Sequence, residues 1–174
     1  MTAYVALLRA VNVGGTGKLP MADLRAMCES LGWGNVRTYI ASGNVVFSSD
    51  DDAAQVRTAL EEALARYAGK PVGVVVRTAA ELAEALAGYP FTEVQRNLAT
   101  IHFLPEPPPP NTVEETTGIS HGELVALGTR EVYLYFPQGA GTTRLKLPKH
   151  VATTGTARNL NTVAKLIAMC AEVG

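Results

Sequence analysis

The chain has 174 residues, 47 % of them apolar and 18 % charged, with a net charge of −1. That composition excludes a disordered chain, and the near-zero charge excludes a protein that coats nucleic acid by bulk attraction. No apolar run is long enough to span a bilayer, so no membrane partner is expected. Cys28 and Cys170 stand far apart in apolar contexts, which suits buried thiols rather than a disulfide or a metal pair.

The opening MTAYVALLRAVNV has neither the basic start nor the small-residue cleavage site of an export leader, so a cytoplasmic protein is expected. Tyr4 to Val13 reads as a strand. Pro20 to Leu31 reads as a helix: proline suits its first turn, Gly32 stops it, and Leu24, Met27, Cys28 and Leu31 repeat at helical spacing. Val36 to Ile40 and Asn44 to Ser48 read as strands on either side of a small polar turn. Asp50, Asp51 and Asp52 offer acceptors and negative charge to the exposed amides of a helix from Ala53 to Ala68. Val72 to Arg77 completes a β-α-β-β-α-β order of the ferredoxin-like kind.

A short helix, Ala79 to Ala87, leads into a second round. Ala99 to Leu104 reads as a strand, and PEPPPP (Pro105 to Pro110) as a stiff extended spacer. A short helix from Thr112 to Thr117 precedes a hairpin of Glu123 to Leu127 and Glu131 to Phe136. Thr143 to His150 reads as a helix that Pro148 shortens or bends, Val151 to Thr156 as the closing strand, and Leu160 to Val173 as a final helix. The expected fold is α+β: two ferredoxin-like halves with antiparallel sheets, plus a C-terminal helix. The first half spans residues 1–78, a connecting helix and loop span 79–97, and the second half with the C-terminal helix spans 98–174. The halves repeat in element order and not residue by residue.

The stretch VNVGGTGKLPMADL imitates a phosphate-binding loop. A Walker loop needs glycine five positions before Gly-Lys and a serine or threonine directly after it; here Asn12 and Leu19 stand in those places. What remains is either a plain strand-to-helix turn or a turn whose glycine amides and Lys18 hold one anionic group beside a helix N-terminus. Other polar residues gather in three places. Arg9 and Asn12 end the first strand; Arg37, Tyr39, Ser42 and Asn44 surround the turn between the next two; Arg158, Asn159, Asn161 and Lys165 open the last helix. Asn159 also fits a helix cap, and Arg158, Asn161 and Lys165 also fit a polar helix face.

From Val132 to Ala171 there is no acidic residue, while Arg144, Lys146, Lys149, Arg158 and Lys165 are basic. Such a segment is either a field that draws an anion or a solvated basic face. His102, in TIHFL, suits a core or interface better than a base. No two histidines or cysteines have metal-ligand spacing. Ser42 lacks the flanking Gly-x-Ser-x-Gly of a nucleophile elbow. No catalytic group is assigned, and neither a cofactor nor a metal is expected.

Four blocks in order, YVALLRAVNVGG-x-GKLPMADLR, TYIASGNVVFSS, VYLYFPQGAG and TARNLNTVAKL, resemble the bacterial domain of unknown function 1697 family over nearly the whole chain. The resemblance implies two ferredoxin-like halves and no particular reaction. Family members generally carry tryptophan where this chain has Leu160, and a polar residue where it has Gly17. The leading functional expectation is a phosphorylated or otherwise anionic small ligand, nucleotide-like, in a cleft between the halves. Arg9, Asn12, Lys18, Arg37, Tyr39, Ser42, Asn44, Arg158, Asn159, Asn161 and Lys165 would hold it. One alternative, less favoured, is a nucleic-acid module stacking bases on Tyr4, Tyr39, Phe47, Phe103, Tyr133 and Tyr135. The others are an enzyme acting on the bound anion, and a structural or oligomerising protein whose polar blocks hold the halves together.

Overall fold

In the computed structural model, which describes residues 1–12 and 18–173, the first half runs β1 (Thr2–Leu8), α1 (Met21–Ser30), β2 (Gly34–Thr38), β3 (Asn44–Ser49), α2 (Ala53–Ala68) and β4 (Val74–Thr78). α3 (Ala79–Ala87) follows directly. The second half runs β5 (Ala99–Phe103), α4 (Thr112–Glu115), β6 (Leu124–Leu127), β7 (Glu131–Tyr135), α5 (Lys149–Thr154), β8 (Thr156–Asn159) and α6 (Leu160–Val173). Each half has one antiparallel four-stranded sheet, in the orders β2-β3-β1-β4 and β6-β7-β5-β8. The same ferredoxin-like topology therefore occurs twice. By packing, residues 1–82 with 165–174 form one unit, and residues 83–164 form the other.

In the first unit one face of the sheet, with Tyr4, Ala6, Leu8, Val45, Phe47, Val74 and Val76, packs on Leu24 and Cys28 of α1 and on Val56, Leu60 and Leu64 of α2. Trp33 stacks on Phe47 with ring centroids 4.2 Å apart. Val5, Leu7, Val46 and Val75, on the opposite face, are buried too. That is why β1 and β3 read as continuous apolar runs rather than alternating ones. α2 begins with a capping box: the Gln55 amide donates to Asp52 Oδ1 at 2.8 Å, and the Asp52 amide donates to Gln55 Oε1 at 3.0 Å. It ends at Gly69, whose φ of 71° is the left-handed conformation that glycine adopts without steric cost.

In the second unit Leu104, Val132, Leu134, Phe136 and Val151 form a smaller core, with Leu145 and Leu147 partly buried against it. The Tyr133 hydroxyl donates to the Ala85 carbonyl and the Tyr89 hydroxyl to the Leu134 carbonyl, each at 2.8 Å. The two rings meet edge to face. Burial pushes both phenols up to about 12, the neighbouring Tyr135 and Glu131 adding to Tyr89 and Tyr133 respectively, so both remain donors.

Three sequence expectations are corrected. The first strand stops at Leu8 rather than Val13 (itself outside the described residues), because Ala10 and Asn12 have φ of 53° and 55°, which no strand accommodates. Thr143 to His150 is not a helix. Residues 143–147 are irregular and tied to Thr117 by paired backbone bonds at Lys146, and Pro148 caps the start of α5 instead of bending a helix. Val151 to Thr156 is accordingly not the closing strand. It lies mostly in α5, and β8 follows at Thr156–Asn159. The β-branched threonines suggest a strand. In the folded chain, however, both are helical, and the Thr153 and Thr154 hydroxyls are satisfied within the helix by donating to the Lys149 and His150 carbonyls, each at 2.8 Å. Gly155 ends it where a β-carbon would come within 2.5 Å of the Phe103 carbonyl oxygen, so only glycine lets the chain pass.

Candidate functional site

The end of β1, the entry to α1 and the turn between α2 and β4 enclose a cavity of about 380 Å³. Arg9 follows β1, and its amide donates to the Gly73 carbonyl at 2.9 Å, which brings the β4 approach alongside. Lys18 stands two residues before the Pro20 cap of α1. Lys70 is delivered by the left-handed turn at Gly69. All three cations line the cavity, together with an apolar wall that includes Leu19, Leu64 and Val72, and among the described residues no carboxylate lines it. The volume lies within the range of small-molecule pockets.

Asn12 fixes the rim. Its amide nitrogen donates to the carbonyls of Leu19 (2.9 Å) and Ala41 (2.8 Å), and its side-chain oxygen accepts from the Leu19 amide at 2.7 Å. Asparagine tolerates the positive φ found here better than most residues. Ala10, in the same conformation, lines the cavity, and an alanine held left-handed costs about 1–2 kcal/mol. Tyr67, also at the wall, donates to Asp23 Oδ2 at 2.6 Å. That hydrogen bond, with desolvation and the Asp23 charge, pushes its phenol up, so it stays protonated. The carbonyl end of α2 brings partial negative charge to this corner, and Lys70 offsets it. Arg9 and Lys18 add positive charge to the same cavity.

The other predicted residues go elsewhere. Arg37 bonds Glu172 at 2.6 Å. Asn44 is fully buried and locks its own turn, donating to the Tyr39 carbonyl and to Ser42 Oγ. Asn159 caps α6, accepting from the Thr162 amide at 2.9 Å, and Asn161 accepts from Arg96. Lys165 is exposed on α6. Arg158 is not on the helix face expected for it. It lies in β8, 7 % exposed, its guanidinium donating to Thr156 Oγ1 at 2.7 Å and the Ala157 carbonyl at 2.8 Å. Burial lowers it to about 10, so it is still charged at neutral pH. The glycines of the opening loop, Gly14, Gly15 and Gly17, lie outside the described residues.

Lys70 and Tyr67 also line the cavity, without belonging to any of the polar blocks in the sequence. The one available signal was Gly69-Lys70-Pro71, a helix stop followed by a cation. Tyr4, Phe47, Phe103 and Tyr133 are buried, so four of the six aromatics offer no free face for a base. His102 is a core histidine, its Nε2 2.9 Å from the Val151 carbonyl. Both cysteines are free and buried. Among the described residues no acidic, histidine or cysteine cluster is arranged to hold a metal ion, and no helix is long and apolar enough to cross a membrane.

The chain is similar to the solved structure of a conserved bacterial protein, SP0830 from Streptococcus pneumoniae. The two are 24 % identical with a TM-score of 0.72, over 97 % of this chain and 98 % of that one. At that identity the likeness establishes the fold. No curated protein matches the sequence. Residues 1–133 match the family profile described as a protein of unknown function, DUF1697, and the chain belongs to that family.

Proposed function

We propose that this is a cytoplasmic protein that binds a phosphorylated or otherwise anionic small molecule in the cavity of its first unit. The observation that carries the reading is the convergence of Arg9, Lys18 and Lys70, from three separate chain segments, on one cavity without a lining carboxylate among the described residues. Like charges brought together repel one another, and an anion relieves that repulsion. The apolar wall of Leu19, Leu64 and Val72 fits the uncharged remainder of such a ligand. The left-handed Ala10 on the same wall supports the reading, since non-glycine strain concentrates at ligand clamps.

A thermal-shift series with inorganic phosphate, nucleoside monophosphates and diphosphates, and sugar phosphates tests it. At least one phosphorylated compound raises the melting temperature of the parent protein, and the Lys18→Gln/Lys70→Gln variant loses most of that gain. If no anion stabilises the parent, or the variant is stabilised equally, the reading is wrong.

A further inference from the structure

The two sheets have the same topology but unequal roofs. In the first unit α1 and α2 supply helices of ten and sixteen residues, and both contribute to the core. In the second unit the corresponding helices, α4 and α5, have four and six. The rest of that roof is the irregular segment 143–147, whose Leu145 and Leu147 reach the core of Leu134 and Phe136 without being fully buried. A groove of about 520 Å³ opens there, with Leu134, Phe136, Leu145 and Leu147 on its walls and Lys146 and Lys149 beside them.

The two lysines give the groove a sign. Both are exposed, and neither ammonium has an ion-pair partner among the described residues. The nearest acid that the hydrogen bonds reveal is Glu123, reached through Thr143, which also lines the groove. Its oxygens are already taken: Oε1 accepts from the His121 amide and Oε2 from the Thr143 hydroxyl at 3.1 Å. The groove lies in the long acid-free stretch of the sequence. The polar side chain on its floor, His102, is committed to the Val151 carbonyl. Apolar walls with few free hydrogen-bonding groups suit a hydrocarbon rather than a base or sugar. Two lysines also read charge without imposing the planar geometry of an arginine fork.

We infer that this groove binds a free alkyl-chain anion, of which a straight-chain fatty carboxylate is the chemical class, with the chain on Leu134, Phe136, Leu145 and Leu147 and the head group at Lys146 and Lys149. Two consequences follow from the chemistry. Affinity rises with chain length, by up to about four-fold per methylene for full burial and less in an open groove. Head groups of equal charge are interchangeable, whereas an uncharged one is not.

Isothermal titration at low ionic strength tests this with decanoate, octanoate, decyl sulfate and decanol, each below its aggregation threshold. Decanoate binds with a dissociation constant below about 1 mM. Decyl sulfate matches it, octanoate is at least four-fold weaker, and decanol is at least ten-fold weaker. The Lys146→Gln/Lys149→Gln variant, on two exposed positions, keeps the parent melting temperature and loses the preference for decanoate over decanol. Absence of decanoate binding, a flat response to chain length, or unchanged decanoate affinity in the variant overturns the inference. So does binding to phosphatidylglycerol vesicles without binding to free decanoate, which would make the lysines a contact for a membrane surface.

Discussion

Asn12 illustrates how one side chain organises the rim of a cavity. Its three hydrogen bonds join the end of β1 to the entry of α1 and to the β2–β3 turn. Replacing it with alanine removes these bonds and puts at φ 55° a residue that tolerates the left-handed region less well than asparagine. At ~0.5–1.5 kcal/mol per bond, discounted for partial exposure, plus the left-handed cost, Asn12→Ala should lose about 2–3 kcal/mol in urea unfolding. Asn12→Gly, which keeps the backbone free, should lose about 1 kcal/mol less. Equal stability in all three proteins would remove the clasp from the account.

Glu123 sets a pH dependence. Burial pushes its carboxyl up, but the amides of His121, Glu123 and Ser120 and the hydroxyl of Thr143 outweigh that and hold it below the ordinary value of 4.5. A carboxyl with a lowered folded value contributes stability that is present above its unfolded value and lost as pH falls through the folded one. The melting temperature should therefore decline below about pH 4.5, and Glu123→Gln should flatten that decline while lowering stability at neutral pH. An unchanged acid limb in the variant would show that Glu123 does not set it.

Among the elements, those closed by local signals were legible from sequence. α2 matches its expected span because Asp52, Gln55 and Gly69 supply start and stop within the helix's own neighbourhood. α3 and α6 match theirs as well. Asp52→Ala should cost about 1 kcal/mol, visible as a fall in melting temperature of roughly 2–4 °C. Under the proposed anion binding, stabilisation by a phosphorylated compound should be the same in this variant as in the parent, because the opposite end of α2 meets the cavity. A variant that loses ligand stabilisation along with stability would mean the helix end and the cavity are coupled.

α5 and β8 show the converse. Thr153-Thr154-Gly155-Thr156 is β-branched, and only contact with β5 decides that its first two residues are helical and its last begins a strand. The same contact explains a correspondence hidden in the sequence. Arg77 lies opposite Val5 in β1 and Arg158 opposite Ile101 in β5, so each half has a buried arginine on its last strand beside a central one. Each is followed at once by a residue that caps the next helix, Thr78 for α3 and Asn159 for α6. The flanking sequences, VVVRTAAEL and GTARNLNTV, share too little for the pairing to be seen without the register.

For the whole molecule, the two thiols report on the folded state. Burial, helped by the nearby Glu29 charge, pushes Cys28 up to about 12, and burial also raises Cys170. At pH 8 neither should react with a disulfide reagent in the native protein, and both should react in denaturant. A thiol that reacts rapidly without denaturant would mean that the first unit opens locally.

By itself the sequence determined the class of fold and the order of elements, because hydrophobic runs, caps and stops act over a few residues and survive in any context. It also marked Arg9, Asn12 and Lys18, which are close together along the chain. Only the tertiary structure decided which of the remaining polar residues have other work. Arg37 meets Glu172 across 135 positions, Arg158 is carried into a strand, and Lys70 joins the cavity through the turn at Gly69. Each of those outcomes depends on a partner distant in sequence, and one-dimensional spacing does not encode the identity of such a partner.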